Sequence, residues 1–216
     1  RLGAGARDEA EREVAVALQT DTGREIWARP LGKPTYDQEG GNGPRSTPTV
    51  RGDRIYYLGA HLELSCLEAA TGPELWRHDL VEEHHGTVIP WGSAASPVVE
   101  GDLVLVNAGG SGEALMAFNR LNGALAWKGE NDKPTHSTPV AATLHGVRQI
   151  LFLTQSGLVA IIPESGKVLW RHRLPYATST AMSPVVYGDL VYCSAAYTYF
   201  SAVCRIAKSG DQFSAT

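Results

Sequence analysis

ALQTDTGREIW, residues 17–27, decides the fold because it recurs. CLEAATGPELW (66–76), AFNRLNGALAW (117–127) and AIIPESGKVLW (160–170) follow the same grammar. A small residue (Ala17, Cys66, Ala117, Ala160) stands six before a glycine (Gly23, Gly72, Gly123, Gly166), and a tryptophan (Trp27, Trp76, Trp127, Trp170) stands four after it. A weaker fifth copy, centred on Gly210, has Cys204 at the small position and Ser214 in place of the indole. Self-similarity at a period of forty-odd residues is the mark of a repeat architecture.

A second set of markers keeps step with the first. STPTVRGDRIYYL (46–58), ASPVVEGDLVLV (95–106), STPVAATLHGVRQILFL (137–153) and MSPVVYGDLVYC (182–193) share one pattern. A Ser/Pro lead-in is followed by a short apolar run, a turn containing glycine and an alternating apolar run, which is how a strand reads. The third copy departs, with LHG where the others have Gly-Asp. One unit therefore reads as strand A over 48–50, strand B over 54–59, strand C over 63–68 and strand D over 74–77. Four short antiparallel strands per repeat make the blade of a β-propeller. A helical solenoid would need apolar residues at three-to-four spacing, which is absent. Residues 8–18 have helical propensity, but Ala17 falls on the repeat's small position, so 13–19 is predicted as a strand C.

The expected fold is all-β: a propeller with a partial blade at 1–31, blades at about 44–80, 91–130 and 135–174, and a partial blade at 182–216. RLGA (1–4) mirrors YLGA (57–60), so the chain is expected to begin inside a strand B, and Thr216 to fall where a last strand D should start. Alternatively, strands within 13–29 complete the blade of 182–206 and close a four-bladed ring.

The glycine suits a C–D hairpin because it takes positive φ cheaply. Four residues on, the indole falls on the outermost strand, facing a small residue. Buried against the next blade, each such ring is worth roughly 1.5–3 kcal/mol. The tryptophans thus read as fastenings between blades; their peripheral place weighs against a stacking row for a cofactor or sugar.

With 43% hydrophobic and 19% charged residues and a net charge of −4, the chain is of ordinary globular composition. That charge offers no electrostatic case for nucleic acid or an anionic membrane surface. No apolar run approaches the roughly 20 residues of a transmembrane helix. Cys66, Cys193 and Cys204 read as buried thiols, with a Cys193–Cys204 pairing as the alternative.

At the tryptophan repeats the sequence resembles the pyrroloquinoline-quinone (PQQ)-type repeat propellers, whose tryptophan-docking motif is similar to Ala-x-Asp-x-x-Thr-Gly-x-x-x-Trp. The resemblance covers essentially the whole chain and implies a ring of seven or eight blades, of which this is a part. It also implies a place in the bacterial cell envelope, periplasmic or extracellular. The family includes quinoprotein alcohol dehydrogenases, non-enzymatic outer-membrane assembly lipoproteins and bacterial PQQ-like proteins. GPRSTPTVRGDRIYYLGA (43–60) and WGSAASPVVEGDLVLV (91–106) look most like the last group. Catalytic members carry adjacent cysteines under the quinone and Asp, Glu and Asn around a calcium ion, and haem-bearing ones carry Cys-x-x-Cys-His. This chain has neither cysteine pattern, and the calcium set finds no matching positions. The expectation is a non-catalytic binding or scaffold module without a cofactor. The alternative is a fragment of a PQQ-dependent, polyvinyl-alcohol-type dehydrogenase, which would need PQQ with calcium.

The D-to-A loops, 31–46, 81–93, 129–137 and 174–182, open on one mouth of a propeller, where sites tend to sit. Arg45, Trp91, His136 and Thr180 occupy comparable places in them. An arginine suits a carboxylate or phosphate, the indole a flat ring or apolar segment, the imidazole a polar tip; the plainer role is to cap and pack the loops. A protein partner or extracellular ligand is expected at this mouth or at an open strand edge. His84 and His85, beside Glu82 and Glu83, suggest a metal, but no third ligand follows at a regular offset, so the segment reads as a solvated loop and no metal is assigned. GGSGE (109–113) reads as a flexible B–C loop.

Overall fold

The computed structural model describes residues 2–4, 12–36, 41–174, 180–195 and 201–216. Their strands form five antiparallel sheets, taken in chain order. The first holds β1 (Leu2–Ala4), β2 (Val14–Leu18) and β3 (Glu25–Pro30). The second holds β4 (Thr49–Arg51), β5 (Arg54–Leu58), β6 (Glu63–Glu68) and β7 (Glu74–Asp79), after which comes a short helix, α1 (Leu80–His84). The third holds β8 (Val98–Glu100), β9 (Leu103–Gly110), β10 (Glu113–Asn119) and β11 (Leu125–Gly129). The fourth holds β12 (Val140–Leu144), β13 (Val147–Thr154), β14 (Gly157–Ile161) and β15 (Val168–Arg173). The fifth holds β16 (Val185–Tyr187), β17 (Leu190–Ser194), β18 (Ser201–Ser209) and β19 (Gln212–Ala215).

The core lies between the sheets rather than inside one. Ala15, Ala17 and Trp27 of the first pack against Ile55, Tyr57 and Leu67 of the second. Tyr56, Leu58, Leu64 and Cys66, on the opposite face of that sheet, meet Val104, Val106, Met116 and Phe118 of the third. Leu105, Leu115 and Ala117 then meet Ile150, Phe152, Val159 and Ile161 of the fourth. Leu151, Leu153, Ala160 and Trp170 meet Val191, Cys193, Cys204 and Ile206 of the fifth. Because successive side chains point to opposite faces, a middle strand clad on both sides must be apolar at every position. Strands β5, β6, β13 and β14 are buried almost throughout, while outer strands such as β7 are largely open to solvent.

The tryptophans stand in matching registers, with Trp27 opposite Ala17, Trp76 opposite Cys66, Trp127 opposite Ala117 and Trp170 opposite Ala160. Three indoles reach the next sheet: Trp27 Nε1 donates to Ala69 O (3.0 Å), Trp76 Nε1 to Arg120 O (3.2 Å) and Trp127 Nε1 to Pro163 O (2.8 Å). Each acceptor sits three residues before a hairpin glycine, and the indole lies on that glycine. A methyl added to Gly72 or Gly166 would come within 2.6 Å of the ring, and one added to Gly123 within 2.9 Å.

The joint to the fifth sheet differs. Trp170 is buried against the fifth sheet, yet its N–H donates to Gln149 Oε1 (2.8 Å) within its own sheet. His145, from the deviant LHG turn, takes the vacated place: its Nε2 lies 2.7 Å from Ile206 O, and its ring meets Phe213 edge-on.

Five expectations need correction. Thr216 does not mark the start of a missing strand D, since β19 already pairs with β18 and makes the fifth sheet four-stranded. Strands β2 and β3 pair with β1 and not with the fifth sheet, so they do not complete it as a four-bladed ring would require. Around Gly210 the hairpin is a tight turn with Ser209 opposite Gln212, so Ala207 rather than Cys204 faces Ser214. The predicted solvated loop at 82–85 contains α1, whose N-cap Asp79 accepts from Val81 N and Glu82 N. GGSGE is likewise mostly strand, with β9 and β10 joined by a short turn. All three cysteines are free and buried.

Candidate functional site

Strand A begins each four-stranded sheet, and four such strands are tied side by side. Thr47 N donates to Ser96 Oγ and Ser96 N to Thr138 Oγ1, both at 2.9 Å. Thr49 Oγ1 donates to Pro97 O (2.6 Å) and Ser137 Oγ to Met182 O (2.9 Å). The Ser/Pro lead-ins thus have a physical reason: their hydroxyls bridge neighbouring sheets where prolines supply no N–H.

The loops before these strands bring the four predicted residues into one chain of contacts. Arg45, between β3 and β4, donates from Nε to Trp91 O (3.0 Å) and from Nη2 to Gly41 O (2.7 Å). Trp91, between β7 and β8, is 37% exposed, and its ring lies 6.3 Å from that of His136 at an interplanar angle of 48°. His136, between β11 and β12, donates its backbone N–H to Thr180 O (3.1 Å). Thr180, before β16, is buried, and its hydroxyl donates to Ser194 O (2.6 Å). Residues 37–40 and 175–179 of the predicted loops lie outside the described residues.

The electrostatics follow from this arrangement. Burial lowers the His136 pKa from its ordinary value, and the Arg45 guanidinium adds to that; the Gly92 backbone opposes both weakly. The ring is therefore neutral at pH 7, and its Nδ1 is buried without a hydrogen-bond partner. Thr180 is spent on its own sheet, as is Thr135, which donates to Leu153 O (2.6 Å). Of the four residues, Trp91 is exposed, Arg45 and His136 are partly exposed and Thr180 is buried.

Sequence reasoning missed Gly92, Ser93 and Asn107. Gly92 has φ +78° and so closely abuts Ala60 that an added methyl would lie 3.0 Å from its Cβ. Ser93 Oγ and Asn107 Oδ1 are buried without partners, which calls for a bound water or a ligand atom at each. The signal was Asn107 itself, a polar residue at the strand B place where the second and fourth sheets have Leu58 and Leu153.

Among the described residues, the His, Cys, Asp and Glu side chains close enough to share an ion are His78, Glu83 and His84, on and just after an outer strand. The cysteines are separate buried thiols.

Comparison with solved structures gives the same architecture. BamB from Moraxella catarrhalis superposes with a TM-score of 0.60 at 17% identity, covering 94% of this chain and 60% of its own. Quinohemoprotein alcohol dehydrogenase from Comamonas testosteroni gives 0.60 at 14% identity, covering 91% and 37%. The computationally designed Ika8 protein gives 0.55 at 13% identity, covering 91% and 56%. The chain thus spans about 60% of the length of the first of these. Curated proteins offer no match. The family model described as outer membrane protein assembly factor BamB matches residues 10–215, and the chain belongs to that family of PQQ-like repeat β-propellers.

Proposed function

We propose that this chain is a non-catalytic binding or scaffold module of the bacterial cell envelope, which holds a protein partner or extracellular ligand at the mouth formed by Arg45, Trp91, His136 and Thr180. The observation that carries the reading is the convergence of these four residues from four successive loops onto an inner frame of hydroxyl bonds. Arg45 holds the Trp91 main chain, and the exposed part of the Trp91 indole is what an incoming apolar group would meet. A segment that packs an apolar group against Trp91 beside the His136 ring would be held there. Membership of the BamB family supports the envelope and protein-binding parts of this reading. No helix among the described residues is long and apolar enough to cross a membrane.

The test is a photo-crosslinking residue at position 91, used in intact cells beside a control at the exposed Tyr187. A crosslinked partner at position 91 that His136→Ala diminishes is the expected result. Equal products at both positions would overturn the assignment of the mouth. Added PQQ and calcium should leave dye-linked alcohol oxidation at background, and turnover would overturn the non-catalytic reading.

A further inference from the structure

We propose that His78, Glu83 and His84 form a binding site for a divalent first-row transition metal of the zinc class. One ligating atom from each lies within 4.8 Å of the others. The motif HH at 84–85 drew attention in the sequence, but the structure selects a different set. His85 and Glu82 are exposed, while β7 and α1 bring His78 up to Glu83 and His84.

The surroundings prepare each ligand. His78 Nε2 lies 2.8 Å from Gly123 O, which can only accept, so that nitrogen carries a proton. Its Nδ1 is hydrogen-bonded to Glu83 Oε2 at 2.6 Å, so a bound metal would replace the shared proton and spread the two ligand atoms apart. The other Glu83 oxygen accepts from Asp79 N (2.9 Å), which fixes the carboxylate. His84 Nδ1 lies 2.6 Å from Glu113 Oε2, and Lys128 Nζ lies 2.8 Å from the other oxygen of that carboxylate. A carboxylate behind an imidazole orients the ring and leaves its second nitrogen as the donor, the arrangement common behind metal-bound histidines. The Phe118 ring stacks on His78 and meets His84 edge-on, fixing both planes. Two imidazoles and one carboxylate suit zinc, with solvent completing the shell because Glu83 is partly exposed. These residues are separate from those of the mouth, so the site stands or falls apart from the function proposed there.

The intact chain, freed of metal, is titrated with cobalt(II) as a visible probe and with zinc(II) by calorimetry. One equivalent should bind, with a cobalt ligand-field band that zinc abolishes. Glu83→Gln, at an exposed position that should not disturb folding, and His78→Gln should each weaken binding at least ~10-fold, whereas His85→Ala should not. A titration without saturable binding, or equal affinity in wild type and Glu83→Gln, overturns the site.

Discussion

Replacing Gly166 by alanine tests whether the indoles fasten one sheet to the next, because the same change at Gly23 is a nearly perfect control. Both glycines sit in the hairpin between the third and fourth strands of the repeat unit, at φ +70° and +67°. At Gly23 an added methyl meets nothing within 4 Å, whereas at Gly166 it falls 2.6 Å from Trp127 Cε3 and 2.9 Å from Cδ2. The left-handed backbone costs alanine roughly 1–2 kcal/mol at either site. Only Gly166→Ala must also displace an indole held by its bond to Pro163 O, and overpacking of that kind adds about 1–3 kcal/mol. Urea denaturation of both variants, followed by indole fluorescence and circular dichroism, measures the difference. In a Trp127→Ala background the excess cost of Gly166→Ala should vanish, since the clash is then gone. If both single variants cost the same within about 0.5 kcal/mol, the indole is not seated on that glycine and the fastening role fails.

Three other outcomes follow from the same geometry. Since the folded pKa of His136 lies below its unfolded value near 6.5, the unfolded chain binds the extra proton, and stability should fall as pH drops from about 6.5 through the folded pKa; His136→Gln should flatten that stretch of a stability–pH curve. Burial, with Cys204 adding to it, pushes the Cys193 thiol up to about 11, so iodoacetamide at about pH 8 should alkylate it only in denaturant, and rapid labelling of the native chain would refute its burial. Gln149→Leu should cost about 1–3 kcal/mol in a denaturation experiment because it strands the buried Trp170 N–H, and a neutral result would mean that the indole has another acceptor.

The repeat was legible because it is local. Trp, Gly and the small residue of each copy lie within eleven positions, and β6 to β7 or β10 to β11 need only a hairpin to bring them together. The nearness of Arg45, Trp91, His136 and Thr180 was legible for a related reason: a repeat places its loops on one side, so equal phase in sequence becomes proximity in space. What escaped was set by partners in other repeats. Glu113 takes its role from His84, 29 residues away, and no spacing rule joins them. Helix α1 escaped because five residues are too few to show a 3.6-residue period; its N-cap, Asp79, also ends an outer strand.

The fifth copy shows how departures from a repeat can be read together. Gly210 seemed a weak member of the series because Ser214 replaces the tryptophan, but the larger change is a tight turn that shifts the register by three residues, bringing Ala207 rather than Cys204 opposite Ser214. The acceptor for the neighbouring indole therefore moves to Ile206 O, which Trp170 does not take up. A buried indole N–H without a partner is costly, so Gln149, fully buried on strand B, accepts it. The Ile206 carbonyl is met instead by His145, in the A–B turn of the fourth sheet, where LHG stands in place of Gly-Asp. Two oddities of sequence, LHG at 144–146 and a glutamine inside an apolar strand, thus join with the tight hairpin at Gly210 in one rearranged joint, in which the hydrogen bond made elsewhere by a single indole is divided between two side chains.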